Sequence, residues 1–268
     1  MHPFTHFILT AFNVRMGVAD HLVDDPTWLR HRFDLFERFC LSSVRSQTER
    51  RFTWLVFFDT RLPASFREKV KAYARWDSFV PLFVEALSPE RMCAFVRERI
   101  PSEATYVLTT RLDSDDALAR DFVENVHQRF RPHTGAFLNF TCGYVFGRDK
   151  LYAARRTSNP FITMMEPVEN MRTVWCRPHR RLAEVGPVWE VTTAPMWLQV
   201  VHGQNLYNRI VNCLRVPRRA LGERFAVTLP PGDAESMVVV RAERLWNRLA
   251  MAARRAGRAV LRRHASHG

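Results

Sequence analysis

Glycine is scarce in this chain: ten residues in 268, and none between Gly17 and Gly135. No G-x-G-x-x-G fingerprint and no G-x-x-x-x-G-K-[ST] loop occurs, so neither a Rossmann dinucleotide cradle nor a Walker phosphate loop can be built. A G-x-S-x-G elbow and an H-E-x-x-H helix are also missing. Any bound phosphate must be held by something other than glycine backbone, and a metal ion is the natural substitute. Lysine is rarer still, with Lys69, Lys71 and Lys150 against 37 arginines. Guanidinium suits phosphate recognition, although a bias in the encoding genome gives the same ratio. The five cysteines are scattered without a C-x-x-C pair, which argues against a zinc site and for a reducing cytoplasm. No apolar run approaches the roughly 18 residues of a membrane-spanning helix. MHPFTHFILTAFNVR lacks a basic leader, so no signal peptide is expected.

What is present is enough for a substantial core: 47% hydrophobic residues, including 20 Phe and seven Trp. Such a composition describes a globular chain rather than a disordered one. Net charge is +13, and residues 241–268, with eight Arg and one Glu, carry +7 of it. A polyanionic partner is expected for that tail; a nucleic-acid function for the whole chain is not.

Strand-like segments recur at 6–10, 53–58, 79–84, 105–112 and 136–146, separated by stretches of helical period. In LRHRFDLFERFCLSSVRS, Leu29, Phe33, Phe36, Cys40 and Val44 fall on one helical face. Ser88-Pro89 reads as an N-cap followed by a first-turn proline. The second, third and fourth strands begin about 26 residues apart, the length of a βα unit. The fold class predicted is therefore α/β, a mostly parallel central sheet flanked by helices. Pro81 places the third strand at an edge. Beyond residue 135 the texture becomes more irregular and antiparallel, with AFLNFTCGYVFGRDKLYAARR forming two strands around Gly147-Arg148-Asp149. The expected organisation is one catalytic domain over 1–232, with halves 1–134 and 135–232, and a basic amphipathic C-terminal helix over 233–268.

Residues 105–117, TYVLTTRLDSDDA, place Asp113, Asp115 and Asp116 directly after the fourth strand. Ligands of open α/β sheets bind beyond the carboxyl ends of strands, and Mg2+ or Mn2+ takes one or two protein carboxylates plus phosphate oxygens and water. A plainer alternative makes these acids the cap and first turn of a helix starting at Ala117-Leu118-Ala119. That accounts for one or two aspartates more readily than three, and leaves Arg111 at an apolar strand end unexplained.

The order of βα units, a second strand ending in Asp59 and the RLDSDDA segment together resemble the nucleotide-sugar half of a GT-A glycosyltransferase. More closely, FILTAFNVR (7–15), TWLVFFDTRLP (53–63), TTRLDSDDAL (109–118), NPFITMME (159–166) and PMWLQVVHGQNLYN (195–208) resemble the bacterial rhamnosyltransferase family related to family-2 glycosyltransferases. Where that family's first strand ends in Thr-Arg-Phe-Asn, Ala11 here replaces the arginine, so donor contacts near this strand are expected to differ. The resemblance implies donor contacts from Thr10, Asn13, Asp59, Arg111, Asp113 and Ser114. It implies a Mn2+ or Mg2+ site from Asp113, Asp115, Asp116 and His202, for which core or hydrogen-bonding duty at His202 is the plain alternative. Gly203 and Asn205 suggest a tight turn there.

An inverting hexosyltransferase also needs a general base for the acceptor hydroxyl. Glu166, at the end of an apolar run, is the first candidate and Glu190 the second, with Glu184 a further acid in the same half. The expected activity is metal-dependent transfer of a sugar, in this family rhamnose, from a nucleoside-diphosphate donor to a glycan or polysaccharide hydroxyl. Alternatives are a D-x-D phosphohydrolase with Asp113 as nucleophile, where Ala117 departs from the required Thr or Val, and a non-enzymatic basic scaffold. In the tail, Leu245, Trp246 and Leu249 lie opposite most of the arginines, a composition suited to an anionic membrane surface. Alternatively the helix simply docks on the domain. The location expected is cytoplasmic, peripheral on the inner face of the cytoplasmic membrane.

Overall fold

The computed structural model describes residues 4–16, 22–203, 210–232 and 234–265, with side chains through Arg254 in the last of these. Asn205 therefore lies outside the described residues, as do Gly17 and Asp233.

The leading strands form as the apolar runs require: β1 (Phe4–Ala11), β2 (Thr53–Asp59), β3 (Phe79–Val84) and β4 (Tyr106–Arg111). All are mutually parallel where they pair, and the inner strands read as nearly continuous buried runs because helices cover both faces. Pro81 sits on β3, the sheet's edge strand, as its missing N–H demands. Connecting them are α1 (Pro26–Leu35), a π-helical turn over Phe36–Leu41, α2 (Ser42–Arg45), α3 (Ala64–Tyr73) and α4 (Pro89–Arg97). Leu29, Phe33, Phe36, Cys40 and Val44 are all buried, as their spacing predicts. The π-helical turn, marked by Ser42 Oγ donating to Glu37 O at 2.6 Å, widens what the sequence suggests is one regular helix. Ser88 caps α4 by accepting from Arg91 N at 3.2 Å.

Ala117–Leu118 does not start a helix. It is a two-residue strand, β5, paired antiparallel with a later strand, and α5 begins only at Phe122 (Phe122–Gln128). The preceding aspartates thus cap no helix.

The second half is mixed rather than antiparallel. AFLNFTCGYVFGRDKLYAARR yields three strands, β6 (Ala136–Phe140), β7 (Cys142–Gly147) and β8 (Lys150–Arg155). The chain changes sheets at Thr141, and β7–β8 closes through Arg148 and Asp149, both at positive φ, a two-residue turn matched to strand twist. Then come β9 (Thr163–Pro167), β10 (Val188–Val191), β11 (Trp197–Val201) and β12 (Cys213–Val216). The main sheet runs β10-β6-β9-β4-β1-β2-β3, with β9 antiparallel to both neighbours; the second runs β12-β8-β7-β11-β5. This is the mostly parallel α/β arrangement expected, with both halves contributing to a shared core. The terminal helix, α6, spans Met237–Ala265, starting later than residue 233. No described helix is long and apolar enough to cross a membrane.

Two core positions yield tests. A Cβ at Gly143 would lie 2.0 Å from the Trp197 ring. That indole is wholly buried, stacked on Phe161 at 5.2 Å and bonded to Phe140 O at 2.8 Å, so it cannot retreat. Gly143→Ala is expected to destabilise by about 2 kcal/mol, read as a lower urea midpoint with unchanged slope. His6 is buried, its ring nitrogens 3.0 Å from His127 Nε2 and 2.8 Å from Thr110 Oγ1. Burial, reinforced by His127 and opposed by Glu49, holds its pKa well below the ordinary value of 6.5. An imidazole neutral when folded and protonatable when unfolded contributes full stability above 6.5 and loses it as pH falls below that value. The melting temperature should therefore drop from neutral pH to about pH 5.5, and by less in His6→Leu.

Candidate functional site

β1 and β4 run side by side and deliver their carboxyl ends to one edge, where Leu112 N–H bonds Leu9 O at 3.1 Å. The chain then turns, Asp116 N–H closing on Asp113 O at 3.1 Å. The result sends the three aspartates in different directions.

Asp115 is the centre. Its Oδ2 lies 3.1 Å from Arg32 Nη1 and 2.8 Å from His202 Nε2, with little solvent access. Arg32 also donates through Nη2 to the buried hydroxyl of Ser114, and its guanidinium lies 5.6 Å from the Trp28 ring. His202 Nδ1 is 3.2 Å from His31 Nε2. Burial pushes the Asp115 carboxyl up, but Arg32 and His202 together outweigh that and hold it below the usual carboxylate range.

Asp116 is wholly buried and points elsewhere. Oδ1 accepts Val200 N–H at 2.8 Å, tying the loop to β11, and Oδ2 has no hydrogen-bond partner among the described residues. Burial, followed by the charges of Asp115 and Asp113, pushes this carboxyl well above its ordinary value. Asp113 is more open and forms an ion pair with Arg111 at 3.0 Å; the Arg111 guanidinium in turn lies 4.3 Å from the Trp175 ring.

One helical run holds the loop at both ends. α1 starts at Asp25, which accepts Trp28 N–H at 2.6 Å, with Pro26 in the first turn; its last turn supplies Arg32. Past the π-helical turn, Ser43 Oγ accepts Leu118 N–H at 3.2 Å. Gln47 donates to Ala119 O at 2.8 Å and accepts Val123 N–H at 3.0 Å. The far side is lined by the Trp175 loop and by His179, whose pKa is lowered to about 4 by burial and then by Arg111.

Of the four expected metal ligands, the structure brings two into contact, Asp115 and His202. Among the described residues no group of three or more His, Cys, Asp and Glu side chains is arranged to hold a metal ion. Two protein donors are nevertheless what Mg2+ or Mn2+ commonly takes, with phosphate and water completing the shell. A carboxylate and an imidazole 2.8 Å apart fit such an ion in kind. Asp113 and Asp116 are engaged elsewhere. Gly203 adopts φ +64, consistent with a tight turn directly after His202.

The expected donor contacts separate. Arg111, Asp113 and Ser114 lie at the site. Thr10 is in the core, its hydroxyl accepting Trp54 Nε1–H at 2.9 Å, so it is not available to a ligand. Asn13 and Asp59 are buried and mutually joined, Asn13 Oδ1 accepting Asp59 N–H at 3.1 Å. Asn13 also donates to Val23 O at 2.8 Å, while Asp59 engages Arg61 at 3.1 Å and Arg15 at 3.7 Å.

Glu166 does not reach the site. On antiparallel β9 it pairs with Val107, at the opposite end of β4 from the aspartates, about 13 Å along the strand. Its carboxylate accepts the N–H groups of Arg172 and Thr173 at 2.9 and 2.8 Å, anchoring the loop that carries Trp175. Burial raises its pKa as expected, against those two bonds, but the group holds a loop rather than facing an acceptor. Glu190 is exposed on β10, three strands from β4, or about 14 Å across the edge. Glu184 pairs with Arg181 at 2.8 Å on the surface.

Sequence reasoning missed Arg32, His31, Trp175 and His179. Arg32 and His31 sit on the polar side of an amphipathic helix, where spacing alone does not tell a solvated arginine from one reaching a buried carboxylate. The other two lie in irregular segments without periodicity.

Comparison with known proteins follows the same lines. Residues 16–212 match the protein family described as "Putative rhamnosyl transferase". No curated protein matches the chain. Among solved structures, S. aureus TarS in complex with UDP-GlcNAc aligns at 10% identity and a TM-score of 0.49, covering 78% of this chain and 62% of that one. TarS in complex with UDP aligns at 12% and 0.45, covering 74% and 60%. The inositol-1-phosphate CTP transferase from T. maritima aligns at 10% and 0.39, covering 77% and 93%. The chain thus spans less than two thirds of the TarS chains. The family match extends over most of the sequence, from just after β1 to the start of β12, and takes in the aspartate loop and His202: this chain belongs to the rhamnosyl transferase family.

Proposed function

We propose that this protein is an inverting glycosyltransferase that moves a sugar, rhamnose by its family's description, from a nucleoside-diphosphate donor to a hydroxyl of a glycan or polysaccharide. The observation that carries the reading is the contact between Asp115 and His202 at the carboxyl edge of the sheet, with Arg32 behind it. Mn2+ or Mg2+ would be held by Asp115 and His202 and would supply Lewis-acid stabilisation of negative charge developing on the departing diphosphate. Asp113, oriented by Arg111 and partly open, is placed to accept from ribose hydroxyls. Arg111 itself, braced on Trp175, presents positive charge to the same space. Of the two expected bases, Glu190 remains as the acceptor-side candidate, exposed on the same edge. An acceptor carried on lipid would be met at the inner face of the cytoplasmic membrane, and the basic residues 241–268 suit an anionic surface.

Titration calorimetry with UDP, GDP and dTDP should show binding in the presence of Mn2+, lost on chelation and lost in Asp115→Ala. Nucleotide binding indifferent to both would overturn the metal assignment, and no nucleotide binding at all would overturn the donor class. Arg32→Met leaves Asp115 without its guanidinium partner and is expected to cost about 3 kcal/mol of stability. Adding Asp115→Asn should recover part of that loss in urea unfolding, because no buried charge then stands unpaired.

A further inference from the structure

Helix α6 is held to the domain by its polar side. Glu243 pairs with Arg215 at 3.0 Å and with Lys150, Asn247 Oδ1 accepts Arg215 N–H at 3.0 Å, and Val240 is buried beside them. Spaced three and four apart, Val240, Glu243 and Asn247 define one face. The apolar side faces away: Val238 is 75% exposed, Leu245 58%, Trp246 71% and Leu249 57%. Exposed Ala242, Ala252 and Ala253 fill the spaces between, and exposed Arg241 and Arg248 border the strip on one side. A surface helix ordinarily buries its apolar stripe and solvates its charges; this one does the reverse.

We infer that this strip is a docking face for an anionic lipid surface, with Leu245, Trp246 and Leu249 entering the headgroup region and Arg241 and Arg248 pairing with lipid charge. The inference sharpens the membrane element of the function proposed above and stands independently of the sugar chemistry. A continuous exposed apolar strip marks an interaction site, and charge decides what covers it. Beyond Glu243 the sequence contains no further acidic residue and seven more arginines. Glu243 is turned to the domain, so the strip and its Arg241 and Arg248 border carry no acidic side chain to meet a second copy's arginines, whereas anionic headgroups satisfy both the apolar and the basic features. Tryptophan at the edge of such a strip suits the interfacial zone. Alanine fills much of the strip, so insertion is shallow and attraction depends on salt.

The test is cosedimentation of the full chain with phosphatidylcholine vesicles, with and without phosphatidylglycerol. Binding is expected only with the anionic lipid and is weakened by added salt. The triple substitution Leu245→Ser, Trp246→Ser, Leu249→Ser should lower it by at least about tenfold, and Arg241→Gln with Arg248→Gln should lower it most at low salt. These side chains are exposed, so unchanged circular dichroism and melting temperature are expected of both variants. A second, core-independent readout is sedimentation velocity without lipid. No binding to anionic vesicles, or binding undiminished in the triple variant, overturns the inference; a self-associating chain made monomeric by the triple variant assigns the strip to a second copy instead. Vesicle binding needs no donor, so its failure is distinguishable from failure of the transferase reading.

Discussion

A carboxylate with little access to water must be met by positive charge or hydrogen-bond donors, and at Asp115 these arrive from two directions that are far apart in sequence. Arg32 arrives from the first long helix and His202 from the end of β11. Desolvation alone would favour a neutral acid there; the guanidinium and imidazole reverse the balance. The neighbouring Asp116 has no such partner and is driven the other way. Two adjacent aspartates thus have opposite electrostatic character because one turn of chain aims them at different surroundings. The loop between β4 and β5 is specified by this division: one acid is held ionised by Arg32 and the His202 contact, the other fastens the loop to β11.

Around that centre the site is assembled from segments that each carry a structural debt elsewhere. The Trp175 loop reaches Arg111 because its backbone is anchored at the distal end of the sheet by Glu166, and midway by Thr109, whose hydroxyl accepts Val174 N–H at 2.8 Å. Asn13 and Asp59 join the ends of β1 and β2 rather than lining the cleft. Residues that sequence reasoning places against the donor therefore include several that shape the edge on which the donor site lies.

Much of the fold could be read before the structure because the signals were local. Continuous apolar runs mark the parallel strands, Pro81 marks the edge, Ser88-Pro89 marks a helix start, and three acids after a strand mark the loop. The link between Asp115 and His202 was also legible, through family resemblance rather than spacing. What could not be read depended on direction and distance. Thr10 and Glu166 lie on the right strands, but a side chain's partner and the end of the sheet it occupies follow from tertiary pairing. The antiparallel insertion of β9 is what carries Glu166 away from the aspartates. In the tail, the apolar arc was visible, yet nothing in the sequence told that Glu243 and Asn247 would bind Arg215 and leave that arc facing outward.

The widened turn at Phe36–Leu41 has a geometric consequence. A helical run that grips the aspartate loop at Arg32 and again at Ser43 and Gln47 acts as a gauge with two jaws, and the π-helical segment sets the angle between them. Regular α pitch over the same six residues would rotate one jaw by about 100° about the axis relative to the other. Both could not then close on the same loop, so the widened turn itself, and not only a helix of this length, is what the loop requires.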